Sequence, residues 1–212
     1  VTPIISLVTV EDALNADSEK VLRVRTKKDS DGVLKYYVVD MNSNLQSSEQ
    51  GMSLIEVAAY AGIDVEGLEY ASVMKNIYAI AAGICKSLHY GDNFQAVLLT
   101  NAMHEIIRFA QAKSDIPRDI TDSGYLGDVL VTAYSNFSRN RQFGQMIGMG
   151  YSVKAAQTEM EMVAEGYYGT KAIWLANQDV QVDLPIVEAV YQILYNRRSA
   201  KAVIKELTKK FQ

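Results

Sequence analysis

Three short clusters in this 212-residue chain combine residue types that do chemistry. Lys75 lies in Val73-Met74-Lys75-Asn76-Ile77, with Ala71, Ala79 and Ala82 stacked around it at helical spacing. Its ammonium therefore emerges from a surface that other backbones can approach closely. A lysine drawn partly out of water beside other cations has its pKa lowered, and the neutral amine then accepts a proton near physiological pH. An exposed lysine whose stem covers alanines accounts for the same residues. In the second cluster, Gly124-Tyr125-Leu126-Gly127 precedes Asp128 and Thr132, a carboxylate and a hydroxyl one helical turn apart on one face. Such a pair can hold a polyol or orient a lysine. A helix cap followed by a threonine bonded to its own backbone is the plainer reading. The third cluster, Ser138-Arg139-Asn140-Arg141, offers planar guanidinium donors, an amide and a hydroxyl, a set suited to a phosphate dianion held in bidentate fashion. A solvated basic turn is its alternative. Further on, Glu165-Gly166 breaks a helical run, and the glycine would let backbone approach a ligand; a simple helix terminus explains it as well.

Other patterns narrow the chemistry. His89 and His104 have no metal-ligand spacing with each other or with the single cysteine, Cys85, so no metal site is expected. Asp29-Ser30-Asp31-Gly32 has the beginning of a calcium loop but lacks the later acidic ligand, and reads as an ordinary turn. Met146, Met149, Met160 and Met162 are read as packing filler. A formal net charge of -4, with dispersed basic residues, excludes the electrostatic footprint of a nucleic-acid or anionic-membrane binder. Any anionic ligand must be small and locally gripped. One cysteine inside an apolar helical pattern points to a reducing compartment, hence the cytoplasm. The longest apolar stretches, such as 77–85, fall well short of the about 20 residues a membrane span needs, and no signal peptide opens the chain at Val1. No G-x-G-x-x-G is present, so a dinucleotide has no recognisable phosphate cradle here.

The elements that must position these clusters are mostly helices. Val73, Ile77, Ile80, Ile84 and Leu88 recur at intervals of three and four and predict one amphipathic helix. A second starts at a cap on Asn93 and puts Phe94, Leu98, Ala102, Ile106 and Phe109 on its core side, with Thr100, His104 and Arg108 as a polar stripe able to face a cleft. Asp128 is expected to cap a third, and Gly144, Gly148 and Gly150 to punctuate the chain after Asn140. Ser152 then caps a helix running through Val163, residues 167–178 form another, Pro185 suits a first turn, and Ser199 caps the last. About seven helices result. Residues 1–63 read differently: β-rich runs at 21–26 and 33–40, joined through Asp31-Gly32, predict a hairpin, and the polar run 42–51 a loop. Two segments follow, an N-terminal one over 1–63 and a helical one over 64–212.

Taken in order, Met74-Lys75-Asn76-Ile77-Tyr78-Ala79-Ile80-Ala81-Ala82-Gly83, Tyr90-Gly91-Asp92-Asn93, Leu126-Gly127-Asp128, Ser138-Arg139-Asn140-Arg141, Val163-Ala164-Glu165-Gly166 and Pro185-Ile186-Val187-Glu188-Ala189-Val190-Tyr191 resemble the carboxy-terminal domain of bacterial NAD(P)-dependent glycerol-3-phosphate dehydrogenases. Each motif is weak, but six in sequence are specific, and together they cover about two thirds of the chain. The resemblance implies a mainly α fold, an all-helical substrate domain like the 6-phosphogluconate dehydrogenase C-terminal domain, preceded here by the short β-hairpin segment. It implies oxidation of sn-glycerol 3-phosphate to dihydroxyacetone phosphate with NAD or NADP, in the service of phospholipid precursors, and it suggests a homodimer.

By the same resemblance Lys75 matches the base, and Asp128 and Thr132 match residues that position lysine and substrate. Ser138, Arg139 and Asn140 match the phosphate grip, while Arg139 and Glu165 match positions facing the dinucleotide. Residues 1–63 match neither the glycine fingerprint nor the second active-site lysine of the family's first half. A non-catalytic helical module that binds phosphate or oligomerises is the alternative expectation.

Overall fold

The computed structural model describes residues 22–28, 34–40, 65–114, 123–160, 162 and 164–211. The chain forms two compact units, Val1–Val65 and Glu66–Gln212. In the first, β1 (Leu22–Lys28) pairs antiparallel with β2 (Leu34–Asp40), with Leu22 opposite Asp40 and Lys28 opposite Leu34. The turn expected at Asp31-Gly32, the calcium-loop fragment and the polar run 42–51 lie outside the described residues.

The described residues of the second unit form eight α-helices: α1 (Val65–Ser87), α2 (Asp92–Lys113), α3 (Asp128–Tyr134), α4 (Arg139–Gly148), α5 (Val153–Glu159), α6 (Glu165–Val180), α7 (Pro185–Leu194) and α8 (Ala200–Leu207). A short π-helical turn, Ser123–Gly127, runs directly into α3. The unit is thus all-helical among its described residues, as the periodicity predicted.

Helix α1 is the centre. Ile77, Tyr78, Ala79, Ile80, Ala81, Ala82, Ile84 and Cys85 are all fully buried, so its second half is covered on every side rather than on one stripe. It can be covered so closely because of glycine. A Cβ added to Gly83 would stand 2.1 Å from Arg141 O, and one added to Gly144 would stand 2.1 Å from Ile80 O. The backbones of α1 and α4 therefore touch where only hydrogen fits. Gly148 repeats the contact one turn on, against Ile84 O at 2.8 Å. Gly144 and Gly148 thus serve helix packing from within α4 rather than punctuating the chain; of the three glycines after Asn140, Gly150 alone has positive φ, +97°.

The second face of α1 meets α2, whose Leu98, Ala102, Ile106 and Phe109 are fully buried. Phe94, expected on the same side, is only partly buried and packs on Tyr90 and Phe211. Helix α2 begins two residues earlier than a cap on Asn93 would give, with Gly91 at the cap position and no side-chain cap bond. Nor does Asp128 cap α3: the π turn before it is already helical, so no fresh N-terminus exists there. Ser152 does cap its helix, accepting from Ala155 N at 3.1 Å, but α5 stops at Glu159. Ser199 occupies the cap position of α8 without a side-chain bond.

The start of α7 is capped from a distance. Pro185 sits in its first turn, and Leu184 before it has no side-chain oxygen to offer. The carboxylate of Glu105, fully buried on α2, accepts instead from Ile186 N at 2.5 Å and Val187 N at 3.3 Å, and from the Tyr78 hydroxyl at 3.3 Å. Burial pushes its pKa up to about 8, against the opposing pull of the two backbone N–H groups, the Arg108 charge and the Tyr78 hydroxyl. Four rings, Trp174, Tyr191, Tyr195 and Tyr167, stack in sequence between α6 and α7 at centroid spacings of 4.2, 5.0 and 4.8 Å.

Candidate active site

Lys75 and Asp128 are 53 positions apart in the chain and in direct contact. Helix α1, fully buried over most of 77–85, brings Lys75 Nζ to the surface one turn earlier, and it donates to Asp128 Oδ2 at 2.5 Å. The π turn matters here, since it carries the chain into α3 with Asp128 already in a first helical turn. Side-chain exposures of 22% and 39% leave both groups within reach of a small ligand. Thr132, one turn along α3, is half-buried, and its side chain makes no hydrogen bond among the described residues.

The third cluster opens α4, next to the same helix. Asn140 is buried; its Nδ2 donates to Asn76 Oδ1 at 2.9 Å and its Oδ1 accepts from Gly166 N at 2.8 Å. It therefore ties the neighbour of Lys75 to the first turn of α6. Gly166 itself is buried, and a Cβ there would stand 2.7 Å from Asn76 O. Its missing side chain admits α1 rather than a ligand, which corrects the sequence expectation. Ser138 caps α4, its Oγ accepting from Arg141 N at 3.3 Å, with its O–H still free to donate.

Arg139 is exposed, and its one side-chain hydrogen bond among the described residues is a weak one from Nη1 to Met162 Sδ at 3.6 Å. It touches neither Lys75 nor Asp128. Glu165 is exposed in the first turn of α6, where a negative charge favours the helix dipole. Neither Arg139 nor Glu165 enters an ion pair among the described residues. Met162 and Met149 are exposed, so they are not packing filler, whereas Met146 and Met160 do pack against the core.

The polar stripe of α2 divides. Thr100 and His104 line an open groove of about 330 Å³ between α2 and α3, together with Leu99, Met103, Leu126, Val129, Leu130 and Tyr134. Arg108 turns away, its Nε donating to Asp183 O at 2.9 Å. The groove is largely apolar and includes none of Lys75, Asp128, Arg139 or Asn140.

Asn76 and Glu105 carry weight here that local sequence reading passes over, and Arg141, grouped there with the phosphate donors, is instead buried against Tyr134 O and Asn136 Oδ1. Each acts through partners distant in the chain or through an ordinary-looking polar residue on a helix. For Glu105 a signal did exist, since an acid aligned with the buried residues Ala102, Ile106 and Phe109 needs a partner.

The described residues hold no phosphate cradle for a dinucleotide. At the N-terminus of α6 the Gly166 N–H is already taken by Asn140, and no strand, glycine turn and helix series precedes α1 among the described residues. No helix among the described residues is long and apolar enough to cross a membrane.

Comparison with known proteins identifies the family. Residues 64–205 match the family model described as NAD-dependent glycerol-3-phosphate dehydrogenase C-terminus. The chain is 38% identical over 151 residues to the NAD(P)+ glycerol-3-phosphate dehydrogenase of Syntrophomonas wolfei, covering 71% of this chain and 44% of that protein. It is 36% identical over 173 residues to the enzyme of the same name from Chlorobium phaeobacteroides, covering 80% and 52%. A crystal structure of glycerol-3-phosphate dehydrogenase from Coxiella burnetii superposes with a TM-score of 0.65 at 32% identity, over 69% of this chain and 45% of that one. The chain spans about half the length of the curated relatives it matches. It belongs to the NAD-dependent glycerol-3-phosphate dehydrogenase C-terminal family.

Proposed function

We propose that residues 64–212 are the substrate-binding half of an NAD(P)-dependent glycerol-3-phosphate dehydrogenase, interconverting sn-glycerol 3-phosphate and dihydroxyacetone phosphate. The observation that supports this most directly is the Lys75–Asp128 contact, an amine held by a carboxylate at a ligand-accessible surface. Nicotinamide, when bound, supplies the acceptor for the hydride that leaves carbon 2. Lys75, once its ammonium has lost a proton to solvent, takes the proton of the carbon-2 hydroxyl as the carbonyl forms. Asp128 fixes the direction of the Nζ–H bonds, and Thr132 offers a hydroxyl one turn further along α3.

Arg139 supplies the bidentate grip on the phosphate, joined by the Ser138 hydroxyl and the second amide hydrogen of Asn140. Arg139 and Glu165, uncommitted at the rim, face the dinucleotide. The same reading assigns residues 1–63 to a separate segment, and the protein to the cytoplasm as a homodimer; the buried, unpaired Cys85 agrees with a reducing compartment.

Turnover tests the reading. The chain is joined to a nucleotide-binding half and assayed for NAD-linked oxidation of glycerol 3-phosphate, with Lys75→Ala in parallel. No oxidation, together with unchanged glycerol 3-phosphate affinity in Lys75→Ala, would sink it. Calorimetric binding of glycerol 3-phosphate but never of NADH, with or without the added half, would favour a non-catalytic module.

A further inference from the structure

Arg141 lies in the first turn of α4, 9% exposed, and carries its permanent charge inward with no carboxylate partner among the described residues. Its Nη1 donates to Tyr134 O at 3.3 Å and to Asn136 Oδ1 at 2.5 Å. Its Nε is buried with no partner among the described residues. Desolvating a guanidinium costs more than two neutral acceptors return, so an apolar side chain would serve stability as well or better. A buried cation at this position therefore points to a task other than holding the fold.

The geometry indicates that task. Tyr134 is the last residue of α3, the helix that carries Asp128 and Thr132, and a cation there meets the negative end of the helix dipole. Asn136 is in the loop that leads to Arg139. The Arg141 backbone rests on α1, whose Gly83 leaves room for Arg141 O and nothing more. One residue thus touches the end of the acid-bearing helix, the connecting loop and the lysine-bearing helix, while belonging to the helix that starts with Arg139 and Asn140.

We propose that Arg141 is a positioning residue that sets the separation between the Lys75–Asp128 pair and the phosphate grip at Arg139. It touches neither substrate nor cofactor and acts through loop 135–138. The inference rests on the functional reading above.

The test is calorimetry of glycerol 3-phosphate on the full 212-residue chain, with melting temperature measured alongside. Arg139→Ala is the reference for a lost grip. Arg141→Met should weaken binding by about tenfold to a hundredfold, the scale on which small misplacements act. Its melting temperature should not fall, because Tyr134 and Asn136 are exposed and water can replace the guanidinium. Arg141→Lys should recover part of the affinity. Asn136→Ala, a surface change that leaves Arg141 in place, should weaken binding in the same direction and decides the matter if Arg141→Met does not fold. Wild-type affinity in both Arg141→Met and Asn136→Ala, or affinity lost only in step with melting temperature, would overturn the proposal. If the unaltered chain binds no glycerol 3-phosphate even when joined to a nucleotide-binding half, the functional reading fails and amide exchange decides for Arg141. Faster exchange confined to 134–139 in Asn136→Ala keeps the positioning role, and unchanged exchange ends it.

Discussion

Asn140 and Asn76 meet amide to amide at 2.9 Å, and the other end of Asn140 holds Gly166 N at 2.8 Å. One buried side chain thus joins the helix of Lys75 to the start of α6, the helix of Glu165. Replacing Asn140 with Ala leaves a buried N–H on Gly166 without an acceptor, which costs about 2 kcal/mol. The melting temperature of Asn140→Ala should fall by several degrees, and glycerol 3-phosphate affinity with it. A variant as stable as the parent would show that water replaces the clamp.

The Lys75–Asp128 pair should behave in the opposite way, because both side chains are partly exposed. Solvent-screened ion pairs contribute about 0 to 1 kcal/mol, so Lys75→Met and Asp128→Asn should melt near the parent temperature. Turnover in the chain joined to a nucleotide-binding half should nevertheless drop at least about a hundredfold for Lys75→Met, the usual minimum for a lost general base. Large destabilisation with intact turnover would mean that the pair is structural.

How far these relationships were legible in the sequence depends on how local they are. The three-four spacing of Ile77, Ile80 and Ile84, and of Leu98, Ala102 and Ile106, marked residues that are all fully buried. Ser152 and Pro185 marked helix starts by chemistry that acts within one turn. Asn93 and Asp128 carried the same kind of signal and do not cap, because Gly91 and the π turn had already set the helix entry. The glycines of α1 and α4 were visible as residues, but their role depends on two helices 61 positions apart, from Gly83 to Gly144, crossing at those points. The Asn140–Asn76 bond is non-local in the same way, and no spacing rule reaches it. For the site, residue types suggested an amine, an acid and a phosphate grip; which of them touch could come only from the packing.

The crossing of α1 and α4 makes a sharp prediction of its own. Gly83→Ala and Gly144→Ala each force a methyl to 2.1 Å from a backbone oxygen that has no rotamer to yield. Each should cost about 3 kcal/mol or more. The helix-propensity gain of alanine over glycine is only about 1 kcal/mol and does not offset it. Chemical denaturation measures the difference directly, and a neutral Gly144→Ala would mean that the two helices can part at little cost.

Cys85 is fully buried in α1, and burial pushes its thiol up to about 12. The thiolate is the reactive form, so the native protein should resist thiol reagents at neutral pH and react only as it unfolds. Labelling with a coloured disulfide reagent should follow the denaturation curve. Rapid labelling of the native protein would require local opening of α1.

Glu105 should make stability depend on pH in the direction opposite to a salt-bridged carboxylate. Its pKa rises from 4.5 to about 8 in the folded protein, because burial outweighs the Ile186 and Val187 N–H groups, Arg108 and Tyr78. A carboxyl whose folded pKa lies above its unfolded one gives its full contribution below the unfolded value, and that contribution is lost as pH climbs through the folded value. Stability from this group is therefore complete below about pH 4.5 and declines towards pH 8. Glu105→Gln keeps the oxygen that caps α7 but cannot ionise, so its denaturation free energy should be flatter over that window. The two curves should diverge by a difference on the order of 3 kcal/mol between pH 5 and pH 8.5, with the wild type falling relative to the glutamine variant. Parallel curves would show that Glu105 stays ionised throughout, its charge balanced by the α7 N-terminus despite its burial.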